Sequence, residues 1–307
     1  MNMIARTFVI ASIAGLLVAC GGGGTNAGTG FIPTKFWFGF EAWNPNTHRN
    51  DIYLARSNGA EDRVLNNADL VGAEQPSFSL DGSLLAYYKL LGNNKAGIYV
   101  MNVDNGNATK IAEFEADQST IFAWPIAWSR DHGRLIYIDP RGKAFVINVD
   151  GSNPLQLTPA TFGVYDRSAR FSPDGSKVVF ERKDNEIWMS DSDGGNQVKI
   201  AGSPERDYLA PDWSPDGTRL VCVRYADLKV ELFTMNPDGS NETKLPVTGR
   251  TRDINWPYWS PDGSMVVFEE NENGEERTLV VVEVATGKIF RWPTDKDRHN
   301  TSWIDRP

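Results

Sequence analysis

The sequence predicts an all-β fold, a six-bladed β-propeller of four-stranded antiparallel blades, and two observations carry that reading. An aromatic residue followed by Ser-Pro-Asp-Gly, or a near variant, returns along the chain: Phe78 in FSLDG, Trp128 in WSRDHG, Phe171 in FSPDG, Trp213 and Trp259 in WSPDG, and Trp303 in a shortened WIDRP. Successive copies lie 42 to 50 residues apart, and repeats of roughly 40 to 50 residues with strand-like content mark propeller blades. The two ends of the chain are complementary. Around Trp303 only one strand remains, whereas KFWFGFEA, DIYLAR and DRVL near the N-terminus supply three strands with no aromatic-turn copy before them. Pairing the C-terminal strand with those three closes the ring without an open sheet edge.

Within a unit the elements follow a fixed order. The first strand ends on the aromatic residue. In the turn after it, Ser takes the first position, Pro presets φ at the second, Asp braces the turn with its side chain, and Gly supplies a positive φ. The copy at Trp128 reads as carrying one inserted residue. Second strands such as KVVFER and RLVCVR follow, then third strands such as EIWMSD and ELFTMN, then short fourth strands such as QVKI and ETKL. Between third and fourth strands, NVDNGN, NVDGSN, SDSDGGN and NPDGSN read as hairpins. Alternating Asp and Asn before Gly also resembles an EF-hand loop, but the downstream acidic ligand and the flanking helices are missing, which favours turn chemistry. The aromatic residue should wedge between neighbouring sheets, where such side chains bury about 150 to 250 Å² each.

With 307 residues, 40% of them hydrophobic, and ten Trp, the chain can build a large core. A formal net charge of −9 argues against nucleic acid as a partner, because such binders show a clustered basic footprint. Arg6 precedes an apolar run from Phe8 to Ala19 that is too short to span a bilayer and has the proportions of a secretory signal. The run ends in Leu17, Val18, Ala19 and Cys20, which resembles the lipobox of bacterial lipoproteins, where the Cys is lipidated and becomes the mature N-terminus. An ordinary signal peptide with a chance Cys is the other reading. Residues 1–19 are thus expected to be the signal peptide, 20–30 the lipidated Cys20 with a flexible Gly-rich tether, and 31–307 the propeller. Cys222, flanked by apolar residues, reads as a buried, inert thiol. With Cys20 committed to lipid, no internal disulfide is expected.

The WSPDG turn, the IYVMN or LFTMN strand and the Asp-Gly hairpin after it resemble the TolB-type propeller repeat, from about Phe36 to Pro307. The resemblance implies an exported cell-envelope protein that works as a non-catalytic scaffold, without cofactor or metal, as a monomer. Its partner would be a protein or peptide, or a peptidoglycan-associated molecule. Membrane contact would come through the lipid anchor only. Gly21 lacks the acidic residue that retains many such lipoproteins at the inner membrane, so the outer membrane, facing the periplasm, is the expected location.

TolB itself carries an α/β domain before its propeller, where this chain shows the Gly-rich tether. Related repeats occur in prolyl oligopeptidases and oligogalacturonate lyases. No G-x-S-x-G nucleophile elbow occurs, so the peptidase reading fails. A carbohydrate-active enzyme of the oligogalacturonate lyase type, with a histidine-rich metal centre in the channel, is the alternative. The chain has three histidines. His132 belongs to the bottom rim, while His48 and His299 can reach the top rim, and two on one rim fall short of the usual three or more protein ligands.

Loops entering the innermost strands converge on the channel mouth. Arg206 and Asp207, Arg252 and Asp253, and Lys296 and Asp297 stand at matching places ahead of their aromatic anchors. Tyr165, Asp166 and Arg167 form a similar group one blade earlier, joined by Tyr208, Trp256, Arg298 and His299, with Phe122 and Trp124 in another blade. These residues either tie adjacent blades together and satisfy loop amides, or form a charged and aromatic rim able to grip a peptide or a glycan. No convergent acid, base or nucleophile stands out, so no catalytic residue is expected.

Overall fold

The computed structural model describes residues 37–44, 46, 49–56, 63–65, 67–116, 125–158, 165–183, 185–203, 205–226, 229–247, 253–271, 277–291 and 298–305. The signal segment, Cys20, the tether, His48, Phe122, Trp124, Arg252, Lys296 and Asp297 lie outside them. The described strands form six four-stranded antiparallel sheets. Blade 1 holds β4 (Ala73–Phe78), β5 (Leu84–Gly92), β6 (Lys95–Asn102) and β7 (Ala108–Glu115). Blade 2 holds β8 (Ala127–Trp128), β9 (Arg134–Ile138), β10 (Ala144–Asn148) and β11 (Leu155–Gln156). Blade 3 holds β12 (Asp166–Phe171), β13 (Lys177–Arg182), β14 (Glu186–Asp191) and β15 (Val198–Ala201). Blade 4 holds β16 (Asp207–Trp213), β17 (Leu220–Ala226), β18 (Lys229–Met235) and β19 (Thr243–Lys244). Blade 5 holds β20 (Asp253–Trp259), β21 (Met265–Asn271), β22 (Arg277–Glu283) and β23 (Ile289–Arg291).

The closing blade joins both termini, as the sequence predicts. Its order is β24 (Arg298–Ile304), β1 (Trp37–Asn44), β2 (Arg49–Arg56) and β3 (Arg63–Val64). Phe38 faces Trp303 in register, and their ring centroids are 4.5 Å apart.

The core is divided among the blade interfaces, and each aromatic anchor belongs to one of six buried clusters. Trp213, for example, packs with Val179, Ile187 and Met189 of blade 3, and Trp259 with Val221, Val223 and Leu232 of blade 4. Trp128 and Trp303 also donate their indole N–H groups across an interface, to the Ser77 carbonyl at 2.9 Å and the Tyr258 carbonyl at 3.2 Å. Phe78 needs a flat neighbour. A Cβ built on Gly39 of β1 would lie 2.1 Å from the Phe78 ring, so glycine is what lets the closing blade meet blade 1. Gly39→Ala is expected to destabilise the chain by about 1–3 kcal/mol through overpacking, read as a lower urea midpoint. Phe78→Leu in the same chain should recover part of the loss. Wild-type stability in the single variant would mean that this interface has slack.

The Ser-Pro-Asp-Gly turns are closed hydrogen-bond units. In blade 3, Ser172 Oγ donates to Asp174 Oδ1 at 2.6 Å and accepts from the Lys177 amide at 2.9 Å, while Asp174 also accepts from the Ser176 amide. Blade 2 corrects the expectation of an inserted residue. Ser129 Oγ accepts from the Arg134 amide across the same five-residue span, and His132 takes the left-handed position, with φ 59°, that Gly175, Gly217 and Gly263 hold elsewhere. Histidine is among the few side chains that tolerate this region. The outer hairpins follow turn chemistry too: Asp238 Oδ1 accepts from the Ser240 amide and hydroxyl.

The innermost strands carry left-handed residues of their own. Three residues before the anchor, Gln75, Ser168, Ala210 and Trp256 all have φ near +50°. The strand register shifts at each of these places, so each is a bulge that re-aims the side chains around it. Each left-handed residue stores on the order of 1 kcal/mol of strain. In blade 2 this position is Pro125, whose ring fixes φ near −65°, and the paired part of β8 shrinks to two residues.

Candidate functional site in the central channel

After the bulge, the residue immediately before the anchor lines the channel in blades 1 to 5. Ser77, Ala127, Arg170, Asp212 and Tyr258 surround a cavity of about 210 Å³ together with Thr301, the anchors and the Ser-Pro turns. At the position before the anchor the lining is asymmetric: blades 1 and 2 offer small groups, and blades 3, 4 and 5 offer a cation, a carboxylate and a phenol, while the blade 2 turn adds Arg130. Arg170 is 9% exposed. Its Nη2 donates to Tyr258 Oη at 2.9 Å, joining two blades that are not neighbours, and its Nη1 donates to the Ala169 carbonyl at 2.9 Å. Its Nε stands 4.0 Å from Asp212 Oδ1, while Asp212 Oδ2 accepts from the Trp259 amide at 2.9 Å. Burial pushes the Asp212 carboxyl up to about 6, against the opposing pull of Arg170. Burial likewise raises Tyr258 above the ordinary phenol range.

Toward the mouth, before the bulge, a second cavity of about 120 Å³ is lined by Arg167, Glu181, Leu209, Ala210, Val223, Ile254, Asn255 and Trp256. Glu181 on β13 is buried, accepts from the Ala210 amide at 3.2 Å, and lies 3.4 Å from Arg167 Nη1. Burial outweighs both and pushes its carboxyl up to about 7. Glu41 and Glu269 occupy the same register position in the closing blade and blade 5, and are buried as well.

The residues expected at the mouth divide into four groups. Tyr165 is 48% exposed and lies over Gly142 of blade 2, while Arg167 and Trp256 line the mouth cavity. Arg206 is exposed in a bridge with Ser203, and Asp207 beside it is half-buried. Asp166 and Tyr208 turn away from the cavity. Asp166 is fully buried and accepts from Arg182 Nε at 2.8 Å inside its own blade, while Tyr208 is buried and donates to Glu242 at the outer strand. Their amides bond to the Gly142 and Asn185 carbonyls of the preceding blade, a repeated tie between blades. Asp253, Arg298 and His299 lie on described strands, although only their backbone is described. His132 sits at the turn-bearing rim, its Nδ1 3.6 Å from Asp81. Cys222 is buried, and burial raises its thiol far above the usual range. Among the described residues no three His, Cys, Asp or Glu side chains are grouped to hold a metal.

Arg170, Asp212, Tyr258 and Glu181 were not legible as site residues. Their signal was weak: a polar residue just before an aromatic anchor, or a glutamate ending an apolar run.

The chain is 28% identical over 205 residues to the uncharacterized protein Atu1656 of Agrobacterium fabrum, a match covering 62% of this chain and 67% of that protein. It is 29% identical over 108 residues to the Tol-Pal system protein TolB of Ruthia magnifica, covering 35% of this chain and about a quarter, 24%, of that protein. The crystal structure of TolB from Acinetobacter baumannii is similar in fold, with a TM-score of 0.70 at 16% identity, covering 90% of this chain and 68% of that one. Residues 28–304 match the TolB beta propeller domain, and the chain belongs to that family.

Proposed function

We propose that this chain is an exported cell-envelope protein, anchored by lipid at Cys20 to the outer membrane and facing the periplasm, that binds a protein partner without catalysing a reaction. Its family membership and its likeness to a Tol-Pal system protein support the setting. One observation carries the binding role. Trp256, half-buried and held at φ +50° by the bulge, stands with Arg167 over the mouth cavity, while exposed Tyr165 and Arg206 lie on the approaches to the same strands. Rigid aromatic and arginine groups around a concavity are the usual anchors of a protein interface. A loop or chain segment of the partner fits this sector better than a flat surface does.

The test is cross-linking capture from envelope extracts with the wild-type chain and with an Arg167→Ala, Arg206→Ala, Trp256→Ala variant. One protein should be recovered with the wild type and fall at least tenfold with the variant, at matched thermal stability. Equal recovery from both would remove the mouth from the interface.

A further inference from the structure

Arg170 and Tyr258 converge as donors in the cavity at the turn-bearing end of the channel, which Arg130 also lines. Arg170 carries five N–H groups, and among the described residues only the Ala169 carbonyl and the Tyr258 hydroxyl accept from it within hydrogen-bonding distance. Asp212 stays at 4.0 Å, with one oxygen already committed to the Trp259 amide. Tyr258 Oη accepts from Arg170, so its own hydrogen remains to be donated. Trp213, Trp259 and Thr301 stand in the same lining, but their indole N–H and hydroxyl groups are sealed from solvent and do not open into the cavity. Donors of Arg170 and Tyr258 left unpaired in a buried site cost about 1–3 kcal/mol each, and an acceptor-bearing guest would relieve that cost. A cation is disfavoured beside the guanidinium. An anion with two oxygens suits the fork geometry of arginine.

We infer that this cavity is a binding site for a carboxylate group, with Arg170 and Tyr258 as its donors and Asp212 as the resident counter-charge that the guest displaces. At about 210 Å³ the cavity has room for a short dicarboxylate or for the last residues of a peptide. The carboxylate can therefore come from a small free acid or from a chain end. The inference stands apart from the proposed interface at the mouth, since it uses none of the same residues.

The test is isothermal titration calorimetry of the purified chain with three probes: succinate, trialanine with a free C-terminus, and trialanine amide. Binding of succinate or of free trialanine, with a stoichiometry near one, supports the site, and the tighter of the two identifies the source. Amidation should weaken trialanine at least tenfold. Arg170→Met should abolish binding, Tyr258→Phe should weaken it several-fold, and Asp212→Asn should tighten it several-fold by removing the competing charge. The last two variants are nearly isosteric and keep the test valid if Arg170→Met fails to fold. The inference is overturned if neither succinate nor free trialanine binds, if the amide binds as well as the acid, or if Asp212→Asn weakens binding.

Discussion

Replacing Trp303 by alanine is expected to destabilise the chain by about 3–5 kcal/mol, the range for removing a large buried aromatic side chain. Trp303 is 6% exposed and packs among Phe38, Met265, Val267, Leu279 and Val281, which belong to both sides of the closing interface. Its indole N–H also holds the Tyr258 carbonyl of blade 5, and the variant leaves that carbonyl to find water. The loss falls where the ring is least protected by connectivity. Every other blade is continuous in sequence, but the closing blade is held by the pairing of β24 with β1 alone. Once β24 frays, β1 becomes an open edge and the adjoining clusters lose one wall, so a shallower urea transition should accompany the lower midpoint. Phe171→Ala, at the interface of blades 2 and 3 and away from the chain termini, serves as the comparison and should lower the midpoint with less change in slope. A Trp303→Ala midpoint within 1 kcal/mol of wild type would show that closure rests on the backbone pairing of β24 alone.

The architecture was legible because its signals are local and repeated. The anchors, the turns and the unpaired strands at both ends are each written in a few adjacent residues, and they fixed six blades and the closing pair. The site was less legible, for a stated physical reason. Which side chains reach the channel depends on the bulge three residues before the anchor in blades 1, 3, 4 and 5, where the residues are Gln75, Ser168, Ala210 and Trp256. None is glycine, so the usual marker of a positive φ is missing. A strand read with unbroken alternation sends Arg170, Asp212 and Tyr258 to no particular place, and places Asp166 and Tyr208 at the mouth instead. The copy at His132 misled for a related reason. Counting to the glycine suggested an extra residue, whereas the turn is defined by its left-handed position, which histidine fills.

Glu181→Gln is expected to stabilise the protein at pH 8 and to do so much less at pH 5. Glu181 is 3% exposed, and burial raises its carboxyl to about 7 despite the Ala210 amide and Arg167. In the unfolded chain a glutamate titrates near 4.3. Between those two values the folded state keeps a proton that the unfolded state has released. The contribution of this group to stability is therefore fully present below about pH 4.3 and is lost as pH rises to about 7, at roughly 1.4 kcal/mol per pH unit. The whole effect is on the order of 3 kcal/mol, and Asp212, raised to about 6, acts in the same sense. The turn aspartates act oppositely. Asp174 is held at about 2 by the Ser172 hydroxyl and the Ser176 amide and hydroxyl, so its contribution is present above about pH 4 and is lost as pH falls toward 2. Glu181 and Asp212 thus favour acidic conditions, while Asp174 opposes stability only at strongly acid pH. Glutamine preserves the acceptor for the Ala210 amide and removes the charge, so the variant should gain about 1–3 kcal/mol over wild type at pH 8. Urea midpoints at pH 5 and pH 8 decide it: the same difference between variant and wild type at both values would mean that Glu181 does not change its protonation between them.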